Sequence, residues 1–493
     1  MEGTHMTFKR LVLGITFLGI FTMAVRASVG YDTWWHLKAG EWILANGEIL
    51  RTDLFSLTRQ GSTWIYPGWL AQILLFTAFR NFSFAGLNLF TALMVVAAFA
   101  FVWCTLEGRD LLKAFVILLA ASASGVIWSA RPQIISFVLA GYFLFVLYPH
   151  RKRRAWLLWS LPLAMILWVN VHGGFAIGFL ILGVYLCGET VQIVHEALQG
   201  DRDWRTAWDH HKREIFHLLL VSFLCALAVS INPHGPQMLL YPFKTVSIQV
   251  LQDYIQEWQS PNFHQAQVLP FLLMLFILIG TLYGSRRQGD PTEIILVLVF
   301  LALALLASRN IALFALVAAP VITRHLDAIL DDLHFDSGSA VQLPQSAAKW
   351  LNLAVFLLLI VASGLKISSA LSSQVNQDAL AEEFPVRAVE YLRSVQPKKN
   401  LFNTYNWGGY VIWELHPDFL SFVDGRTDLF DDEILEEYLI GWRGLAGWER
   451  VFQTWDIEIV LVEPWAPLRI RLESQGWDID YEDELAVVLS SPQ

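Results

Sequence analysis

An aspartate, a histidine and two tryptophans lie side by side in Tyr31-Asp32-Thr33-Trp34-Trp35-His36. A carboxylate such as Asp32 can serve as a general base, taking the proton of an attacking hydroxyl or amine. Indole rings such as Trp34 and Trp35 offer flat faces on which sugar rings stack. If a helix starts here, Asp32 and His36 are four residues apart and share one of its faces. The competing reading is structural, with Asp32 capping a surface helix and the tryptophans anchoring it at a membrane interface.

Five further places could carry chemistry. Arg131 and Gln133 open a turn in SARPQIIS, and Arg309 with Asn310 does so in ASRNIALF. The planar fork of arginine binds a phosphate through two parallel hydrogen bonds, although a lone arginine at an interface also serves as a snorkelling anchor. Arg26, near the end of the first apolar run, is a weaker phosphate candidate. His172 stands before two glycines in WVNVHGGFAIG, where the backbone can turn tightly or approach a ligand. Asp253 and Glu257, in DYIQEWQSP, share a face if that stretch is helical, and Glu257 has the indole of Trp258 beside it.

The elements that must position these residues are membrane spans. Of the 493 residues, 55% are hydrophobic and only 16% charged, against roughly 25% charged in a soluble domain. Apolar runs recur near the roughly 20 residues a helix needs to cross the hydrocarbon. Spans are expected at about 11–29, 84–106, 111–130, 133–149, 155–170, 174–196, 215–231, 267–283, 292–308, 311–324 and 349–369, with MEGTHM set aside as an expression remnant. Trp69–Phe79 is short and ends in Arg80, and is read as an interfacial helix. With eleven spans and a cytoplasmic N-terminus, the basic clusters at 151–154, 202–213 and 286–287 all fall inside. The loops 30–83 and 232–267, the short turns at 131–133, 172–173 and 309–310, and the tail then lie outside, in an integral plasma (inner) membrane protein. Chemistry is therefore expected on the outer face.

From about Glu382 the apolar stretches shorten to strand length, at 400–402, 420–423, 457–462 and 486–489, with helical patterns at 386–395, 433–440 and 467–473 between them. This predicts a C-terminal non-cytoplasmic α/β domain. The division is 1–370 for the polytopic part and 371–493 for the soluble part. Over 382–493 there are 22 acidic residues against 9 basic ones, enough to account for the chain's net charge of −10.

Several chemistries are excluded. P-loop, Rossmann, zincin and nucleophile-elbow motifs are absent. The basic clusters follow from topology, so no nucleic acid partner is expected. Cys104, Cys187 and Cys225 all lie in apolar runs and suit neither a metal site nor a disulfide framework. In the tail, NTYNWGGY (403–410) and DGRTD (424–428) are dense polar motifs at strand ends, where loops carry either function or turn chemistry.

Taken together, Asp32-Thr-Trp-Trp-His36-Leu, Gly47–Ser56, His172–Gly174, Tyr254–Pro261, Trp407–Tyr410 and Asp424–Arg426 resemble the GT-C superfamily of polytopic membrane glycosyltransferases. That superfamily includes the protein O-mannosyltransferases and the aminoarabinose transferases, and the likeness is greatest to a bacterial group within it. It covers nearly the whole chain. It implies a mainly α, GT-C-like bundle of about eleven transmembrane helices, and transfer of a sugar from a polyprenyl-phosphate carrier to a glycan, lipid or protein acceptor among the membrane lipids. By that likeness Asp32 is the base. Arg131, Arg309 and His172 face the carrier phosphate, with His36, Trp34, Trp35, Gln133, Glu257, Trp258 and Asn310 binding substrate. Many members pair two acids at the catalytic position, whereas Asp32 stands beside Thr33, so no cofactor is expected and a divalent metal lacks its motif. Two other readings remain open: a glycan ligase of the O-antigen type, which would depend little on a first-loop acid, and a non-catalytic scaffold acting through its tail.

Overall fold

The computed structural model describes the chain apart from residues 1–7, 28–29, 149–154, 201, 249, 251–254, 335–344, 396–398 and 493. Its first part is helical: α1 (Phe8–Ala24), α2 (Thr33–Asn46), α3 (Trp69–Trp103), α4 (Asp110–Ser124), α5 (Gln133–Leu147), α6 (Leu161–Val171), α7 (Ala176–Leu198), α8 (Trp204–Val229), α9 (Tyr241–Val246), α10 (Leu269–Gly284), α11 (Pro291–Leu306), α12 (Ile311–Asp332) and α13 (Gln345–Ala370). Each apolar segment expected to span falls on a helix. Among the described residues six helices are long and apolar enough to cross a membrane and three more are apolar but shorter, so length and composition alone do not reach the expected eleven. The chain is an integral membrane protein.

Three boundaries differ from expectation. Although α3 runs unbroken from Trp69 to Trp103, Ser83 inside it has φ 52° and ψ −144°, so two helices meet at a sharp kink. Its first half covers Trp69–Phe79, so that segment is helical and is set off from the following span by the kink. The two halves approach so closely after the kink that a Cβ on Gly86 would collide with the Ala78 carbonyl. Helix α12 continues past the expected end at 324, and Asp327 and Asp331 on the added turns pair with Arg109 at 2.8 and 2.6 Å. Helix α8 starts eleven residues early, at Trp204, where Asp203 caps it by accepting from the Thr206 N–H.

The tail adds α14 (Ser373–Glu383), α15 (Val386–Val395), β1 (Asn400–Asn403), α16 (Gly408–Leu415), α17 (Thr427–Trp442), α18 (Trp448–Thr454), β2 (Ile457–Val462), α19 (Pro467–Ser474), β3 (Asp478–Glu482) and β4 (Val487–Ser490). The sheet order is β1-β2-β4-β3, with β1 parallel to β2 and the other pairs antiparallel. The apolar stretch 420–423 is not a strand. Only Ser421 bridges, to Ser56 of the first long loop, because Phe422 and Val423 are buried in a core shared with that loop. Strand β3, by contrast, has a polar, mostly exposed edge sequence that gave no apolar signal.

This shared core decides how the site is built. Trp35, Leu50, Phe55 and Trp64 of the loop pack with Phe402, Phe422, Phe430 and Val460 of the tail. A second cluster joins Trp34, Leu37 and Phe76 to Phe384, Tyr410 and Val411. Burying each such side chain contributes about 1.5–3 kcal/mol, so loop and tail hold each other in place.

Candidate active site

Asp32 sits at the N-cap position of α2, but its side chain makes no capping hydrogen bond. It turns into a cavity instead. Oδ2 accepts from Arg131 Nη1 at 2.8 Å and Oδ1 accepts from the Trp35 indole at 3.4 Å. Arg131 reaches there from the turn before α5, where its Nε donates to Ser129 Oγ at 2.9 Å. The other arm of its guanidinium donates to Glu257 Oε2 at 2.9 Å. Glu257 in turn pairs through Oε1 with Arg309 at 3.6 Å, and the Arg309 guanidinium lies 4.5 Å from the centre of the Trp258 ring, a cation–π contact. Asp32, Arg131, Glu257 and Arg309 thus form one chain of alternating charge, drawn from four separate parts of the sequence.

The cavity holds about 780 Å³, and its walls include Asp32, Trp35, His36, Arg131, Gln133, His172, Glu257, Trp258 and Arg309. Two expected residues lie elsewhere. Trp34 is buried among Phe79, Phe84, Phe384 and Tyr410. Asn310 turns its amide to the Leu303 carbonyl at 3.1 Å. Asp253 lies outside the described residues, and Glu257 sits in a short 3-10 turn, Gln256–Trp258, after an extended Ile255.

Burial pushes the Asp32 carboxyl above its ordinary range against the pull of Arg131, with the neighbouring Glu257 adding to the rise. Burial would raise Glu257 as well, but Arg131 and Arg309 hold it down at about 2. Arg131 is itself held protonated, since Glu257 and Asp32 outweigh the cost of its burial. The two acids thus have different characters: Asp32 is the more basic, and Glu257 is a fixed anion.

His172 ends α6 with extended backbone, and its Nδ1 accepts from the Gly174 N–H at 3.1 Å. The same Nδ1 lies 2.8 Å from Ser136 Oγ, which accepts from the Trp168 indole at 2.7 Å. Two donors on Nδ1 fix the neutral tautomer with its proton on Nε2. Burial, then Arg309 and Arg131, lower this histidine to about 3. His36 is likewise kept neutral, chiefly by burial.

The tail closes the cavity, and sequence reasoning missed this. Tyr405, Asn406, Gly425, Thr427 and Asp428 line it, together with Tyr66 of the first loop. Asp428 accepts from the Tyr241 hydroxyl at 3.2 Å, and burial raises its carboxyl to about 6. The signal was present in WGGY and DGR. A Cβ on Gly409 would come within 2.7 Å of the Tyr31 carbonyl, one on Gly408 would strike the Val423 carbonyl, and one on Gly425 would strike Asp32 itself. Gly409 and Gly425 thus allow the tail backbone to press against the Tyr31–Asp32 turn, and Gly408 lets two tail segments meet behind it.

Behind the cavity, Arg426 is fully buried between two fully buried carboxylates. Its Nε and Nη2 grip Asp424 at 2.8 and 2.7 Å, and its Nη1 donates to Asp53. Asp53 also accepts from the Phe55 and Ser56 backbone N–H groups at 3.1 and 3.0 Å. The RTDLFS and DGR motifs are therefore two halves of one buried clamp between loop and tail.

The Arg131 guanidinium occupies the space between Asp32 and Glu257 and already takes one oxygen of each.

No protein-family model matches the chain, and no curated protein matches it. Solved structures do. The archaeal oligosaccharyltransferase AglB from Archaeoglobus fulgidus, in complex with an inhibitory peptide and a dolichol-phosphate, aligns over 92% of this chain and 69% of its own, with a TM-score of 0.53 and 14% identity. The apo form of the Archaeoglobus fulgidus oligosaccharyltransferase aligns over the same shares at 14% identity and a TM-score of 0.51. The arabinofuranosyltransferase AftD from Mycobacteria aligns over 99% of this chain and 40% of its own, with a TM-score of 0.51 and 12% identity. The fold is GT-C-like.

Proposed function

We propose that this protein is a membrane glycosyltransferase that moves a sugar from a polyprenyl-phosphate carrier to an acceptor at the outer face of the inner membrane. The observation that carries this reading is the Arg131 fork, which joins a basic carboxylate, Asp32, to a site where a second arginine converges. The GT-C-like fold supports it, as does the dolichol-phosphate bound in the archaeal structure. The placement of basic clusters supports a cytoplasmic N-terminus, an outward-facing cavity and an extracytoplasmic tail.

In the proposed reaction Asp32 takes the proton of an acceptor hydroxyl or amine as its heteroatom attacks the anomeric carbon. The new bond to that carbon forms while the bond from the carbon to the phosphate oxygen breaks. Its electron pair stays on the phosphate. Arg131 and Arg309 stabilise the charge developing there, so no metal is required. The phosphate competes with Glu257 for Arg309, whose present contact at 3.6 Å is the loosest in the chain of charges. His172 remains neutral and contributes an N–H donor rather than charge. The acceptor is a glycan, a lipid or a protein.

The test is turnover by the purified full-length protein in lipid nanodiscs, given a panel of polyprenyl-phosphate sugars with envelope lipids and glycans as acceptors. Release of free polyprenyl phosphate is expected with at least one donor. Failure of every donor to bind or turn over would overturn the reading and favour the scaffold.

A further inference from the structure

Far from the cavity, α7 and α8 bring together a group of side chains that the proposed reaction does not use. Helix α7 begins at Ala176, beside the cavity, and Glu196 lies 20 residues further along it, roughly 30 Å at 1.5 Å per residue. There Glu196 of α7 meets His210 and His211 of α8, and among the described residues the ligand atoms of all three lie within 4.8 Å of one another.

From this arrangement we propose that Glu196, His210 and His211 form a binding site for a divalent transition-metal ion of the zinc class. His211 is buried, and its two ring nitrogens have distinct surroundings. Nδ1 lies 2.7 Å from Oε2 of Glu189, itself a buried carboxylate about two turns back from Glu196 on the same face of α7. Nε2 faces Oε1 of Glu196 at 3.3 Å. In the tautomer that keeps the proton on Nδ1, toward Glu189, Nε2 turns its lone pair toward Oε1 of Glu196, as two ligand atoms of one cation would face each other. A carboxylate behind a ligating imidazole is the usual way such a ring is oriented and made more basic.

The dimensions agree. Bonds of roughly 2.0–2.2 Å at a tetrahedral angle set ligand atoms about 3.3–3.5 Å apart, and the Nε2–Oε1 separation is 3.3 Å. Arg202 holds the other oxygen of Glu196 at 2.8 Å, so that carboxylate is turned to offer one oxygen only. His210 is exposed, and with its ligand atom within 4.8 Å of the other two it would be the third protein ligand, with water as the fourth. Imidazole and carboxylate donors in this number suit zinc and its neighbours rather than calcium or magnesium. An ion there would tie α7 to α8 at the end of the bundle away from the cavity.

The experiment uses the full-length protein in detergent, freed of metal by chelator and titrated with Co²⁺ and then Zn²⁺. One equivalent of Co²⁺ should give the visible absorption of a tetrahedral, imidazole-ligated ion, and Zn²⁺ should displace it. His210→Ala, an exposed change that leaves the fold intact, should weaken binding at least tenfold, as should Glu196→Gln. Glu189→Gln should cost roughly 10–100-fold in affinity. Asp209→Asn, on the exposed side and paired with Lys212, should change nothing. Absence of stoichiometric binding, or binding indifferent to His210→Ala, would overturn the proposal. His211 would then be an imidazolium bridging Glu189 and Glu196.

Discussion

The backbone of Gly425 lies so close to the Asp32 carboxylate that a single added carbon on the glycine would overlap Oδ1. The residue proposed as base is thus held on one side by a loop that arrives nearly four hundred residues later. Gly425→Ala should push the Asp32 carboxylate off Arg131 and lower transfer sharply. Overpacking of this kind costs about 1–3 kcal/mol, so the protein should still fold. Gly183→Ala, whose new methyl meets nothing within 4 Å, is the control. Equal activity and thermal stability for both variants would show that loop and carboxylate are not in contact.

The clamp behind the cavity gives a second expectation. Arg426→Met leaves Asp53 and Asp424 buried without their partner, a loss of about 3–5 kcal/mol. Arg426→Lys keeps the charge but cannot grip Asp424 with two arms while reaching Asp53. Trypsin sensitivity of the tail should rise strongly in the first variant and moderately in the second. A tail as resistant as wild type in Arg426→Met would mean that the shared apolar core alone holds it.

Arg131, His172 and Arg309 were legible from the sequence because each is a polar residue in a short turn between apolar runs, and Asp32 because it stands beside two tryptophans and a histidine at the start of the long loop after the first run. Their convergence was not legible. Asp32 and Arg131 are 99 residues apart, Arg131 and Glu257 are 126 apart, and no local pattern encodes a contact at such range. Trp34 was misplaced for a local reason. Neighbours on a helix point about 100° apart, and of the three residues 34–36 it is Trp35 and His36 that face the cavity while Trp34 turns into the apolar core. Asn310, next to Arg309 in a 3-10 turn, spends its amide on the Leu303 carbonyl instead. In the tail, apolar content at 420–423 was mistaken for a strand, whereas burial there comes from packing on the first loop. Both arginines expected to face a carrier phosphate line the one cavity, but each already holds Glu257, a partner that spacing could not reveal.

That pairing makes the arginines testable. Arg131→Lys and Arg309→Lys each retain charge but lose the planar fork. Affinity for polyprenyl phosphate, measured by fluorescence quenching in nanodiscs, should fall about tenfold for at least one of them. Arg309→Lys also gives up much of the cation–π contact with Trp258. Unchanged affinity in both would reassign these residues to anchoring the turns.

Asp428 provides a pH signature. Burial raises it from 3.8 to about 6, so the folded state holds its proton more tightly than the unfolded chain does. The stability it contributes is complete below 3.8 and is lost as pH rises through about 6. The thermal midpoint of wild type should therefore fall relative to Asp428→Asn across that window and then level off. A difference independent of pH would place Asp428 in solvent rather than on the cavity wall.

The central claim is that Asp32 is the base, and one comparison tests it most directly: the transfer rate of Asp32→Asn against wild type, with polyprenyl-phosphate affinity measured on the same preparations. Asparagine keeps the size and removes the basicity, so transfer should drop by roughly 10²–10⁴-fold while the lipid phosphate still binds. Glu257→Gln, which changes a fixed anion rather than the base, should cost less. A folded Asp32→Asn protein that transfers at near the wild-type rate would contradict the account and leave Glu257 or a ligase-type mechanism in its place.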